Sequence, residues 1–352
     1  MLEKIREKSI WQTVRETSLP IVLYGMGNGA DMIMDVLEEI GVTVSDIFAS
    51  DGFVRGHSFR GHKVLRYAEV CEKYEDFIIL MTFAVHDAPT LEYIRRMNTE
   101  HTVLSPTVPI AGKGLFTLDF IRENEEQFDR AYELLADEKS KSDFVDILNF
   151  KISGKIEYLF SCQSEKSKLY ETVFPLTENE TIVDLGAYDG DTIREFLSVT
   201  NGKYRKIYAL EPDEKNFRKL CAKTEALENI ERYNFGAWDK EETLYFQKKA
   251  GRNSRQDESG IPVSFNSVDN LISDDVTFIK MDIEGAELRA IEGARKTVER
   301  CRPKLYICAY HRNEDAFALP LKINEICKDY KIYYRHHPYI PAWESNFYCV
   351  AE

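Results

Sequence analysis

The feature that most constrains this chain occurs twice: a short apolar run halts at a glycine, and an amphipathic segment follows. In the first instance Leu19-Pro-Ile-Val-Leu-Tyr-Gly25 opens into Met26-Gly27-Asn-Gly29-Ala30, with apolar positions at Ile33, Met34, Leu37 and Ile40. In the second, Thr181-Ile-Val-Asp184 opens into Leu185-Gly186-Ala187-Tyr188-Asp189-Gly190-Asp191-Thr192, with Ile193 and Phe196 behind it. Period-two apolar runs that change to helical spacing after a glycine are strand–turn–helix units. Repeated along a chain, they build a parallel sheet covered by helices on both faces. The fold class is α/β.

The same rhythm sets the domain plan. Residues 1–18 carry Ile5, Ile10, Trp11 and Val14 among charges and read as an amphipathic helix. Strands are expected at 42–48, ending near Asp51, at 77–82 and at 103–104. Residues 1–112 are thus a smaller Rossmann-like domain. Between 113 and 175 the apolar positions Leu118, Ile121, Phe128, Tyr132 and Leu135 recur at helical spacing, and 119–151 holds ten acids and five bases. This reads as a helical connector with a solvated acidic face, or as a cap over the next domain's site. From 176 to 352 strands are expected at 181–184, 206–210, 231–235, 276–281 and 304–309, with tail strands at 331–335 and 347–350. That makes a seven-stranded sheet with a closing hairpin. Further hairpin pieces are expected at 243–246 and 263–265.

Composition narrows the function classes. Hydrophobic residues at 43% and charged residues at 30% fit an ordinary globular protein. With 46 Lys+Arg against 60 Asp+Glu, the formal net charge is −14. Such a chain does not attract phosphate backbones broadly, so nucleic-acid binding and docking on anionic membranes are not expected. No apolar run is long enough to span a bilayer, and the first sixteen residues lack the apolar core of a secretory signal. The seven cysteines are scattered with no C-x-x-C pair. Reduced thiols in the cytoplasm are therefore the expectation, without a zinc knuckle or disulfide framework. Oligomeric state is not readable, and a homo-oligomer stays open.

Ligands of open α/β sheets sit beyond the carboxyl ends of the strands, near the point where strand order reverses. Gly186 permits a tight turn and close approach of a ligand, and Gly190 lets the helix start pack near the strand. The turn also carries Asp184, Asp189 and Asp191, which would repel a pyrophosphate and suit a cationic sulfonium–amino-acid cofactor. Glu211, 25 residues after Gly186, ends the next strand, where an acid can accept both ribose hydroxyls. Each of these residues alone reads as a turn glycine or a surface acid; the ordered set does not.

Three further groups stand at expected strand ends: Asp282, Glu284 and His311. They read as acid–base and acceptor-orienting groups, with His311 or Asp282 as the base. Two other readings stay open, a divalent-metal set, which is not favoured, and helix caps. The tail Tyr333-Tyr-Arg335-His336-His337-Pro-Tyr339 could line an acceptor pocket or be an ordinary strand.

Four stretches carry a resemblance: Thr181–Thr192 (TIVDLGAYDGDT), Tyr208–Phe217 (YALEPDEKNF), Asn234–Asp239 (NFGAWD) and Phe278–Glu287 (FIKMDIEGAE). Over about 165–351 the chain resembles the FkbM family of S-adenosylmethionine-dependent methyltransferases, and the K-x-D-x-E-G-x-E run is its most specific piece. The resemblance implies a class I methyltransferase sheet with S-adenosyl-L-methionine as cofactor. It implies cofactor contacts by Asp184, Gly186, Ala187, Tyr188, Gly190, Glu211 and Asp282, with Ala237 and Trp238 flanking the adenine. It implies O-methylation of a sugar or glycan-linked hydroxyl, so that the partner is a small-molecule or glycan acceptor. Two departures stand out. The family's glycine loop often has Asn where this chain has Tyr188. Many members also carry a Glu after the strand where this chain reads Tyr306-Ile-Cys-Ala-Tyr-His311.

Two rival classes remain. Gly25-x-Gly27-x-x-Ala30 with Asp51 loosely matches a dinucleotide fingerprint, as in an NAD(P)-dependent oxidoreductase, but no Tyr-x-x-x-Lys pair follows that sheet. A non-catalytic binding or assembly protein could keep a cofactor fold. The stretch 53–64 looks similar to small Rossmann-like domains beside sugar-modifying enzymes, so residues 1–112 could bind a nucleotide or nucleotide-sugar. The polar loop 250–260 is expected to order over the site when ligand binds.

Overall fold

Where the sequence alternates apolar runs with amphipathic segments, two sheets form. A computed structural model of the chain describes residues 1–54, 56–246 and 260–351. The loop expected to close over the site lies outside them, apart from Gly260. The first sheet comprises β1 (Ile21–Tyr24), β2 (Asp46–Phe48), β3 (Ser58–Phe59), β4 (His62–Leu65), β5 (Ile78–Met81) and β6 (Thr102–Leu104), in the order β3-β4-β2-β1-β5-β6. Every residue of β1 and β5 is buried, as strands covered on both faces require. Strand β2 is shorter than its apolar run. The Val42 N–H returns to the Leu37 carbonyl at 2.8 Å and closes the preceding helix instead of joining the sheet.

The N-terminal segment departs from the expected single helix. A 3-10 turn at Leu2–Lys4 precedes a helix at Ile10–Glu16 only. The Met1 ammonium pairs with Glu125 and Asp129, and the Arg6 N–H donates to Asn149 Oδ1 at 2.9 Å. These bonds tie the first residues to the connector and take backbone groups that a longer helix would need.

The connector is helical and packs its apolar positions inward. It holds helices at Leu118–Glu123, Glu125–Glu133, Glu138–Ser153, Glu157–Ser161 and Lys166–Glu171. The third buries Phe144, Ile147, Leu148, Phe150 and Ile152, and one apolar core runs from β1 and β5 through this helix to the C-terminal sheet. Of the ten acids between 119 and 151 only Asp143 is buried, together with Lys151; the others are exposed or partly exposed.

The C-terminal domain contains β7 (Thr181–Leu185), β8 (Lys206–Leu210), β9 (Ile230–Tyr233), β10 (Gly236–Ala237), β11 (Glu242–Phe246), β12 (Ile261–Asn266), β13 (Phe278–Met281), β14 (Lys304–Cys308), β15 (Tyr330–His336) and β16 (Ser345–Ala351). Seven of them form the sheet β15-β16-β14-β13-β7-β8-β9, and β10-β12-β11 form a small separate one. Strand β16 runs antiparallel to both neighbours, which is the expected closing hairpin. Strand order reverses between β7 and β13. Leu185 is paired with both Met281 and Leu210, so the turns after β7, β8 and β13 leave the sheet at one level.

Candidate active site

Two of those turns touch backbone to backbone. Gly186 has φ +78°, and a Cβ built there would lie 1.9 Å from the Asp282 carbonyl oxygen. No other residue type satisfies both the left-handed backbone and the contact. The Gly186 and Ala187 N–H groups donate to the Leu210 carbonyl, at 3.0 and 2.9 Å, which folds the turn back over the end of β8. Gly190, also left-handed, starts the helix Asp191–Val199. Tyr188 has φ +46° and is exposed. Asn tolerates that conformation far better than an aromatic residue does.

The charges of the turn are not what their count implies. Asp184 is fully buried and paired with the Lys280 ammonium at 3.2 Å. Lys280 also donates to the Gly186 carbonyl at 2.9 Å, so one buried cation locks the turn from below. Asp189 is paired with Arg194 and Lys223. Of the three carboxylates read as a cradle for a cation, only Asp191 lies exposed at the helix start, where its Oδ1 accepts the Thr192 N–H. The preference for a cationic ligand rests instead on Glu211, Asp282 and Glu284.

Glu211 follows β8 and is almost wholly buried. Its Oε2 accepts the Tyr188 N–H and its Oε1 the Asp213 N–H, each at 2.9 Å. Burial lifts its pKa to about 7 against the pull of those two bonds. Each oxygen keeps a second lone pair for a ligand hydroxyl.

His311 joins the remaining groups. It stands beyond β14, 2% exposed, with Nε2 3.4 Å from Asp282 Oδ1 and 3.8 Å from Glu284 Oε2. Its Nδ1 lies 2.9 Å from Oε1 of the fully buried Glu287. Burial alone would lower its pKa. Glu287, then Asp282 and Glu284, outweigh burial and raise it to about 9. The imidazole is therefore charged at neutral pH, anchored through Nδ1, with Nε2 turned to the two more exposed carboxylates. Tyr310 donates to Asp282 Oδ1 at 3.2 Å. Residues after β6 close the other side, where the Ala111 N–H donates to the His311 carbonyl at 3.0 Å and Ala111 packs on Gly285.

The expected set Asp282, Glu284 and His311 is thus brought together, at the level of Gly186. In the sequence Glu287 and Lys280 stand out only as the two ends of the K-x-D-x-E-G-x-E run. The donor atoms of Glu287, His311 and Asp315, all buried, lie within 4.8 Å of one another. Asp315 is pushed up to about 7 by burial and by the Glu287 charge, and buried Lys151 acts against that. The charged His311 supplies this cluster with positive charge from the chain itself.

Ala237 and Trp238 sit at β10. Trp238 packs on Phe265 with ring centroids 5.5 Å apart and lies beneath the Arg289 guanidinium. The basic tail does not line a pocket. Arg335 is bonded to Asp137 and Ser140, His336 to Ser345, and His337 to Tyr348 and the Ser164 carbonyl. Burial pushes the two histidines down to about 3 and 4, so they stay neutral as structural groups.

A seven-stranded sheet with its last strand reversed, and acids at the ends of its central strands, defines a methyltransferase-type α/β domain. Residues 184–338 match the methyltransferase FkbM domain. The crystal structure of methyltransferase FkbM from Methylobacillus flagellatus KT aligns with 96% of this chain and 92% of its own, at 25% identity and a TM-score of 0.73. An rRNA methylase from Streptococcus thermophilus aligns with 53% of this chain and 93% of its own, at 16% identity and a TM-score of 0.36, too low to carry an argument. No curated protein matches. The comparisons thus identify residues 184–338 as an FkbM-type methyltransferase domain. Among the described residues no helix is long and apolar enough to cross a membrane.

Proposed function

We propose that this chain binds S-adenosylmethionine against the turns after β7 and β8 and methylates a hydroxyl of a sugar or glycan-linked acceptor. The observation that carries this reading is His311 Nε2, 3.4 Å from Asp282 Oδ1, at the level of the glycine turn. When bound, S-adenosylmethionine supplies an electrophilic methyl group on a sulfonium. The residues present fit it. Glu211 offers lone pairs to ribose hydroxyls, Gly186 lets the turn close onto the Asp282 backbone beside it, and Asp282 and Glu284 offer negative charge to a cation. Ala187, Tyr188 and Gly190 form the rest of the turn; Ala237 and Trp238 stay assigned to the adenine.

The chain's own work is alignment and proton transfer. Asp282 and Glu284 can accept hydrogen bonds from neighbouring hydroxyls of a sugar. Glu287 fixes Nδ1, so Nε2 is the atom that exchanges a proton. An imidazolium cannot take a proton, but positive charge brought to Asp282 and Glu284 lowers the His311 pKa and favours the neutral ring. The rate of methyl transfer is therefore expected to rise with pH, along a limb at or below about 9. Glu287→Gln removes an anion that stabilises the imidazolium, so its limb should shift to lower pH. Rate–pH profiles of the two proteins check this, and coincident limbs would remove Glu287 from the argument.

Glu211→Ala should weaken S-adenosylmethionine binding by roughly two orders of magnitude, since two hydrogen bonds to a charged group are lost at about 1.5 kcal/mol or more each. Calorimetric titration reads this directly. The function itself is tested by incubating the chain with methyl-labelled cofactor and a panel of sugars, nucleotide-sugars and oligosaccharides. Label in a methyl ether is expected. Failure to bind the cofactor, or label found only on nitrogen, ends this reading.

A further inference from the structure

Residues of the N-terminal domain line a half-open cavity of about 320 Å³ that lies away from the C-terminal sheet. It opens at the carboxyl ends of β1 and β2. The first sheet's order turns at β1, which has β2 on one side and β5 on the other. That is the kind of position where doubly wound sheets hold ligands, and the volume falls within the range of small-molecule sites.

The lining has a definite chemistry. Tyr24 and Phe48 stack with ring centroids 4.5 Å apart, Tyr67 lies 5.5 Å from Phe48, and Tyr93 meets Tyr67 edge-on at 6.2 Å. The Tyr24 hydroxyl is 2.7 Å from Ser50 Oγ, which orients one polar edge of the wall. Asp51 is the one charged side chain among the lining residues, and Thr90 adds a hydroxyl group. With no Lys or Arg in the wall, the cavity does not suit a phosphate. Aromatic faces, one carboxylate and hydroxyl groups suit a flat heterocycle carrying hydroxyls, without net negative charge. Gly25 and Gly29 keep the neighbouring turn tight. A Cβ on Gly25 would meet Thr82 Oγ1 at 2.4 Å, and one on Gly29 the Thr82 carbonyl at 2.1 Å. The end of β1 is therefore fixed against β5, and the cavity wall is set by backbone packing.

We propose that this cavity binds the nucleoside part of a ribonucleoside ligand, with the base against the partly exposed Tyr67 and Tyr93 rings and the Asp51 carboxylate accepting ribose hydroxyls. This goes beyond the methyl-transfer reading and does not rest on it. It is a second site, in a domain that does not carry the glycine turn of the methyltransferase fold.

The test uses the full chain and labelled adenosine and uridine in equilibrium dialysis. Four proteins are compared: the natural chain, Asp51→Asn, Thr90→Trp and Glu211→Ala. Asp51 is exposed, so its amide variant should fold, and thermal melting verifies this for all four. The expected result is binding of at least one nucleoside that Glu211→Ala retains. Asp51→Asn should weaken that binding about tenfold, the worth of one hydrogen bond to a charged acceptor. Thr90→Trp, which fills the cavity, should abolish it; if that variant does not fold, Asp51→Asn decides alone. Absence of nucleoside binding in the natural chain overturns the proposal. So does binding that Glu211→Ala abolishes and Asp51→Asn leaves intact, because it would then belong to the C-terminal site.

Discussion

Lys280→Met is expected to destabilise the chain by about 3–5 kcal/mol, the usual loss when one partner of a buried ion pair is removed and the other is left behind. Lys280 and Asp184 have side chains 4% and 0% exposed, and the lysine also holds the Gly186 carbonyl. Asp184 keeps Lys280 protonated, whereas burial favours the neutral form of Asp184. Removing the ammonium raises the Asp184 pKa further. A carboxyl whose folded pKa lies above its unfolded value leaves stability intact below the unfolded value and erodes it as pH rises towards the folded one. The deficit of Lys280→Met should thus be largest in alkaline buffer and shrink on acidification. Adding Asp184→Asn should recover part of it. Denaturant unfolding at two pH values measures all of this; wild-type stability at both would mean the pair does not hold the turn.

His311→Gln is expected to slow methyl transfer by about 10²–10⁴-fold, the range of a positioned general base, with cofactor affinity nearly unchanged. Gln keeps a polar side chain beside Asp282 and Glu287 but cannot exchange the proton. Comparing turnover with the cofactor dissociation constant separates a chemical role from a structural one. Unaltered turnover would move the proton to Asp282, and Asp282→Asn would then show the loss.

Much of the C-terminal fold was legible because its signals are local. The apolar runs and glycine turns at Thr181–Thr192 and the acid at Glu211 are short-range patterns, and the strands appear within a residue or two of their expected limits. Asp282 and Glu284 were legible as residues that end a strand. The pair Glu287–His311 was not, since its members belong to two different strand–helix units and meet only through the β13–β14 pairing. Lys280 looked like one polar residue in an apolar strand, and its partner Asp184 lies on the neighbouring strand. The apolar spacing of the connector was legible, but not that the helix Glu138–Ser153 joins the core shared by both sheets. Histidine and arginine in the tail suggested a binding surface, yet they are consumed by internal hydrogen bonds.

By itself the sequence determined the alternation of strands and helices, the two glycine turns and the acids that end the central strands. Those depend on backbone conformation and side-chain period, which are properties of neighbouring residues. Only the tertiary structure decided which charges remain for a ligand. Asp184 and Asp189 are paired with cations inside the domain, while Asp282 and Glu284 stand beside the charged His311 beyond the strand ends and Glu211 is held by two backbone N–H groups. Pairing and burial set the state of an ionisable group, and both follow from contacts between segments far apart in the chain.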